Sequence, residues 1–117
     1  MIEHIKRGEI YLADLNPYQG SEQGGIRPVL ILQNDTGNLY SHTTIIASLT
    51  THIYKKGHLP THVFISNRED LEHNSIIMCE QIRTIDKSRL IRYLAKVSNK
   101  EMQQVDAAID VSVGVEN

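Results

Sequence analysis

The sequence predicts a mainly β fold of the α+β kind, a small curled antiparallel sheet or half-open barrel completed by one C-terminal helix. Short apolar, β-branched runs recur along the chain, turn-forming clusters separate them, and clear helical periodicity comes only at the end. The first predicted strand is Glu9–Leu15, which opens after Gly8 and stops at Asn16-Pro17. Val29–Gln33 is nearly continuous apolar sequence, the pattern of a strand buried on both faces, and Asn34-Asp35-Thr36-Gly37-Asn38 closes it as a turn. Thr43–Leu49 follows as its antiparallel neighbour. Thr50–Pro60 is a polar, basic loop of a length that usually carries function. His62–Ile65 is a further strand, Ser66–His73 a charged connection with room for a helical turn, and Ser75–Ile82 the longest apolar strand. Asp86–Arg89 suggests a short capped turn, and Arg92–Val97 alternates like a half-exposed strand. The helix begins at Ser98-Asn99-Lys100-Glu101, a capping box in which serine and glutamate satisfy each other's backbone amides. Met102, Val105, Ala108, Ile109 and Ser112 then recur at helical spacing, a stripe that belongs on the sheet as core.

A chain of 117 residues without internal repeats, low-complexity segments or linkers reads as a single domain over 1–117. Folding at that length buries roughly 65 % of the unfolded surface, enough to dispense with disulfides or a structural metal. A net charge of -2 argues against coating nucleic acid through bulk charge and leaves room only for a local basic groove. The single cysteine, Cys79, ends the apolar run Ile76-Ile77-Met78 and reads as core, in keeping with a reducing cytoplasm. No apolar run approaches the ~18 residues of a membrane span, and Met1–Lys6 lacks a signal-peptide core, so a soluble, cytoplasmic protein without membrane contact is expected.

Chemistry concentrates in Gly20-Ser21-Glu22-Gln23-Gly24-Gly25-Ile26-Arg27-Pro28, which runs directly into Val29. Glycines allow positive φ or close approach to a ligand, and a proline at the mouth of a strand keeps the preceding residue extended. Arg27 is therefore expected at a fixed position. A guanidinium so presented suits a phosphate or carboxylate, because it stays charged and its donors form a planar fork.

Arg7-Gly8-Glu9-Ile10-Tyr11 with Asp14-Leu15, then Gly20 through Asp35, Leu59-Pro60-Thr61-His62-Val63 and Glu80-Gln81-Ile82-Arg83-Thr84-Ile85-Asp86, resemble the MazF/PemK toxins, in particular those of Gram-positive bacteria. The resemblance covers nearly the whole chain, in order. It implies an SH3-like, partly open barrel that forms a homodimer. It also implies a type II toxin that cuts single-stranded mRNA at short motifs without ribosome, metal or other cofactor, and is held inactive by a cognate MazE-like antitoxin with an acidic tail.

By that resemblance Arg27 lies against the scissile phosphate and Thr50 bonds a non-bridging oxygen. Glu22 either takes the 2′-proton or holds the guanidinium. Calling Arg27 itself a base conflicts with its very high pKa, so its role is charge stabilisation, with proton donation to the leaving group a further option. Ser21, Gln23, Gly24, Gly25, Thr51 and Gln81 resemble residues lining the RNA groove, where amides and hydroxyls can read splayed bases. Gln81 and Glu80 also fit a polar pair at a sheet edge. Lys55, Lys56 and His58 offer phosphate contacts or form a solvated loop tip, and Arg83 reads as support for a loop or the dimer. His58 and His62 have helical spacing, yet Pro60 between them breaks a helix and no partner ligands stand at metal-site spacing. His52, His58 and His62 leave open a two-histidine acid-base mechanism. A rival on the same fold is a toxin that binds a protein such as DNA gyrase, but that contact resembles one made by a Trp-bearing C-terminus and this chain has no Trp. His42 and Ser48 depart from the family pattern, where Pro and Ala are common, and bear on loop shape and motif preference. Apolar residues over Ile109–Val115 hint at the dimer surface.

Overall fold

Val29, Leu30 and Ile31 are all fully buried, because consecutive residues of their strand face two different apolar clusters. The computed structural model describes residues 4–52 and 59–115. It holds strands β1 (Glu9–Asp14), β2 (Ile26–Ile31), β3 (Thr43–Thr50), β4 (His62–Ile65), β5 (Ser75–Asp86) and β6 (Leu90–Lys96), with helices α1 (Asp35–Tyr40) and α2 (Asn99–Val113). The strands form one sheet in the order β4-β5-β3-β2-β1-β6, and every pairing is antiparallel. The sheet curls: from the β4–β5 connection, the Asp70 amide donates to the Leu94 carbonyl of β6 at 2.9 Å, drawing the two edges together.

One face carries Ile10, Leu30, Ala47, Leu49 and Ile77, and α2 covers it with Val105 and Ala108. Alternation by two puts Tyr11, Ala13, Val29, Ile31 and Ile46 on the opposite face, in a cluster closed by Ile5, Leu15 and Leu90. The α2 cap forms as the sequence predicts: Ser98 Oγ accepts from the Glu101 amide at 3.1 Å and Glu101 Oε1 accepts from the Ser98 amide at 2.8 Å. Arg68 donates from both terminal nitrogens to Glu101, tying the β4–β5 connection to the same helix end.

Several boundaries differ from the sequence expectation. Strand β2 starts at Ile26, so Arg27 and Pro28 lie within it; Pro28 is tolerated because β2 pairs with β3 only from Val29 onward. The expected turn at 34–38 is the start of α1, with Asn34 Oδ1 accepting from the Gly37 amide at 2.8 Å. Ser66–His73 holds no helical turn; an Arg68–Leu71 bridge folds it tightly, with Glu69 at a φ of 46°. Strand β5 continues past Ile82 to Asp86, alternating buried Ile85 with exposed Thr84 and Asp86. The capped turn after it is present as a 3₁₀ turn, Lys87–Arg89, in which Asp86 accepts from the Ser88 amide.

Candidate active site

Arg27 lies opposite Ala13 in the β1–β2 ladder, on the face that α2 leaves uncovered. Its Nε donates to the Gly24 carbonyl at 2.9 Å, and its Nη1 reaches the Leu49 carbonyl at 3.5 Å. Two backbone oxygens therefore set the guanidinium, one from the loop before β2 and one from β3. That loop is shaped by its glycines. Gly24 packs so closely on Tyr18 that a Cβ would come within 1.8 Å of the ring, and Gly25 has a φ of +78° with its amide on Asn16 Oδ1. The conformational reason for the paired glycines is thus to bring a carbonyl under Arg27.

Thr50, Thr51, His52 and Ser75 line the cleft with Arg27. Thr50 Oγ1 accepts from the His52 amide at 3.2 Å, which occupies an acceptor site and leaves the hydroxyl proton to donate into the cleft. Ser48 precedes Thr50 by two residues on β3 and so shares its face. It opens an adjoining cleft with Glu22, Gln23, Gln81 and Arg83. Arg83 Nη1 donates to the Leu15 carbonyl at 3.0 Å, at the root of the glycine loop. A strand of polymer lying across this face would pass a fixed cation, a free hydroxyl and then a row of amide, carboxylate and hydroxyl groups.

A family model described as a PemK-like, MazF-like toxin of a type II toxin-antitoxin system matches residues 6–113. The chain belongs to this family. It is 54% identical over 112 residues to a protein named endoribonuclease MazF from Staphylococcus saprophyticus, covering 95% of this chain and 92% of that one. It is likewise 54% identical over 114 residues to the endoribonuclease MazF of Staphylococcus epidermidis, covering 97% and 94%. Among solved structures, MazF from Deinococcus radiodurans superposes with a TM-score of 0.81 at 20% identity over 95% of this chain and 97% of that one. A mycobacterial endoribonuclease in complex with its cognate antitoxin gives 0.79 at 25% identity over 97% and 98%. The mainly β fold with a terminal helix is the fold of these toxins.

For the toxin, two neighbouring clefts gather several of the residues singled out in the sequence. Arg27, Thr50 and Thr51 meet in one cleft, and Glu22, Gln23 and Gln81 in the next. Glu22 forms no ion pair with Arg27, so the role of holding the guanidinium is not seen here. Its Oε1 accepts from the Gln19 amide at 2.9 Å while its own amide bonds the Gln19 carbonyl, so its carboxylate is engaged within its own turn. Ser21 is exposed on that same turn. Lys55, Lys56 and His58 lie outside the described residues.

His52 and Ser75 in the Arg27 cleft were not readable as partners, since they come from different strand ends that only the sheet order brings together. His62 is far from free: it is 8% exposed and its Nε2 bonds Glu80 Oε2 at 2.9 Å. Desolvation raises the Glu80 pKa, but hydrogen bonds from His62, its own backbone and Thr61 outweigh it and hold the carboxyl below the ordinary range. Burial is also the main force on Cys79, whose thiol is pushed up to about 12, with Glu80 and Asp106 adding to it; the group is inert core. Among the described residues no three His, Cys, Asp or Glu side chains cluster as metal ligands. No helix among them is long and apolar enough to cross a membrane.

Proposed function

We propose that this toxin is a sequence-specific endoribonuclease of single-stranded RNA, cutting without ribosome or metal, with Arg27 and Thr50 at the scissile phosphate. The observation that carries the reading is the shared cleft of a backbone-fixed guanidinium and a threonine hydroxyl with its proton free. In the reaction the ribose 2′-oxygen attacks the adjacent phosphorus, its proton passes to a base, and the P–O5′ bond breaks as the 5′-oxygen gains a proton. A 2′,3′-cyclic phosphate and a 5′-hydroxyl result. Arg27 meets the charge that grows on the non-bridging oxygens, and Thr50 donates to one of them. Two groups can accept the 2′-proton: His52, in the Arg27 cleft, and Glu22, in the adjoining one. Rate profiles against pH for His52→Gln and Glu22→Gln separate them, because the limb of the profile belonging to the base disappears only when the base is removed.

Ser21, Gln23, Gly24, Gly25, Thr51 and Gln81 are assigned to the RNA groove, the side chains reading bases and the glycines bringing backbone close. The same groove, being cationic at Arg27 and Arg83, suits the acidic tail of a MazE-like antitoxin. A homodimer of single-domain chains in the cytoplasm completes the reading. Exposed Val111, Val113 and Val115 at the end of α2 support self-association through that helix end.

The deciding experiment incubates the purified protein with a long single-stranded RNA of diverse sequence in EDTA and maps the ends beside an Arg27→Ala control. Cuts at one short motif, leaving cyclic phosphates and missing from the control, are expected. Intact RNA from folded protein would overturn the assignment.

A further inference from the structure

In β5, Met78 stands opposite Ser48 and Ile82 opposite Ala47, so neighbours on β3 face residues four apart, and Cys79, Glu80 and Gln81 swell out between them. The start of β4 holds this swelling. The Cys79 amide donates to the Thr61 carbonyl at 2.9 Å. Glu80 accepts from Thr61 Oγ1 at 3.0 Å with one oxygen and from His62 Nε2 at 2.9 Å with the other. An ionised carboxylate only accepts, so the proton in the second bond belongs to Nε2. The His62 side chain is 4% exposed and its Nδ1 has no hydrogen-bond partner, leaving Glu80 as the polar anchor of the ring. The residue after this anchor is Gln81, which turns into the cleft with Glu22 and Arg83.

We propose that Glu80 is a positioning residue for RNA recognition: by latching the β5 swelling onto Thr61 and His62, it fixes the direction from which Gln81 reads a base. The inference rests on the reading of the Gln81 cleft as part of the RNA groove. A swelling lacks the ladder that fixes ordinary strand residues, so a side chain borne on it is only as well directed as its outside supports. Glu80 supplies two of them, both to side chains of β4 or its leading residue. It acts through Gln81 and makes no contact with the scissile phosphate.

Wild type, Glu80→Ala, Gln81→Ala and the double variant are compared on a short RNA bearing the mapped motif, with Arg27→Ala as the inactive control. Loss of a charge-assisted pair predicts a KM about tenfold higher for Glu80→Ala with kcat within about twofold. Gln81→Ala should match it and the double variant add little more, since both remove one interaction. Glu80→Gln should restore most of the affinity, because its oxygen still accepts from Thr61 and its amide donates to the other tautomer of His62. A wild-type KM for Glu80→Ala, or additive losses in the double variant, would overturn the latch. If Glu80→Ala does not fold, Thr61→Val removes one of the two bonds at constant shape and takes its place: a raised KM that is not additive with Gln81→Ala supports the latch, and an unchanged KM overturns it. Intact RNA with wild type refutes the nuclease reading itself, whereas cleavage by wild type with an unaffected Glu80→Ala refutes the latch alone.

Discussion

Arg27 is held by two carbonyl oxygens and, among the described residues, by no carboxylate, which leaves its whole charge for a phosphate. Removing a donor of this kind typically costs roughly 3 to 4 kcal/mol of barrier, about 10²-fold to 10³-fold in rate. Arg27→Ala is therefore expected to lose that factor in single-turnover cleavage while melting within a few degrees of wild type. Arg27→Lys should recover little, because an ammonium cannot bond the Gly24 carbonyl and still present a planar fork. A lysine variant near wild-type rate would show that charge alone suffices. The identity of this residue was legible because Gly24-Gly25 and Pro28 constrain the backbone around it from within a few positions. The place of Glu22 was not: its direction depends on two bonds with Gln19, and composition does not reveal how a glycine-rich loop closes on itself. His52 and Ser75 were hidden for another reason, since the cleft they share is made by β3 and β5 meeting across the sheet.

Elements followed the same division between local and distant causes. The start of α2 was readable because a capping box is local, and its strength can be measured. Ser98→Ala removes the acceptor of the Glu101 amide and should cost about 1 kcal/mol in urea unfolding, with unchanged m-value. Ser98→Asp should lose almost nothing; equal losses for both would mean the hydroxyl contributes by packing instead. Helix α1 was misread as a turn because Asn, Asp and Gly favour both. What decides it lies elsewhere in the chain: Asn38 is 1% exposed, its Oδ1 accepts from Gln33 Nε2 and Thr44 Oγ1, and its carbonyl accepts from the buried Lys87 ammonium. Strand β5 was cut short at Ile82 for a related reason. The polar Arg83 and Thr84 end its apolar run, and the strand continues through them to Asp86 because β3 pairs with it as far as Thr43.

At the scale of the whole molecule, the curl of the sheet brings distant segments under shared carboxylates, and acid should undo it at those points. Arg68 on the β4–β5 connection meets Glu101 in the first turn of α2, both side chains about four-fifths covered, with exposures of 22% and 20%. The hydrogen bond from Arg68 is the main force on Glu101, joined by the bonds from Ser98 and opposed by desolvation, and it holds the carboxyl below its ordinary range. Glu80 is displaced in the same direction. A carboxylate whose pKa is lower folded than unfolded binds fewer protons when folded. Its stabilisation is complete above the unfolded value near 4.3 and disappears as pH falls through the folded one. Stability from urea unfolding is thus expected to be flat in these two groups from pH 7 to about 5.5 and to fall below that. Glu101→Gln should start lower at pH 7, since the charge on Arg68 loses its counterpart, and should then fall less steeply with acid. Because Arg68 ties the connection that meets β6 to the helix that covers one face of the sheet, the loss should be cooperative, with backbone and tertiary signals changing together. A Glu101→Gln variant whose stability declines with acid as steeply as wild type would place the acid-sensitive contacts elsewhere, and the Glu80 latch would be the next pair to substitute.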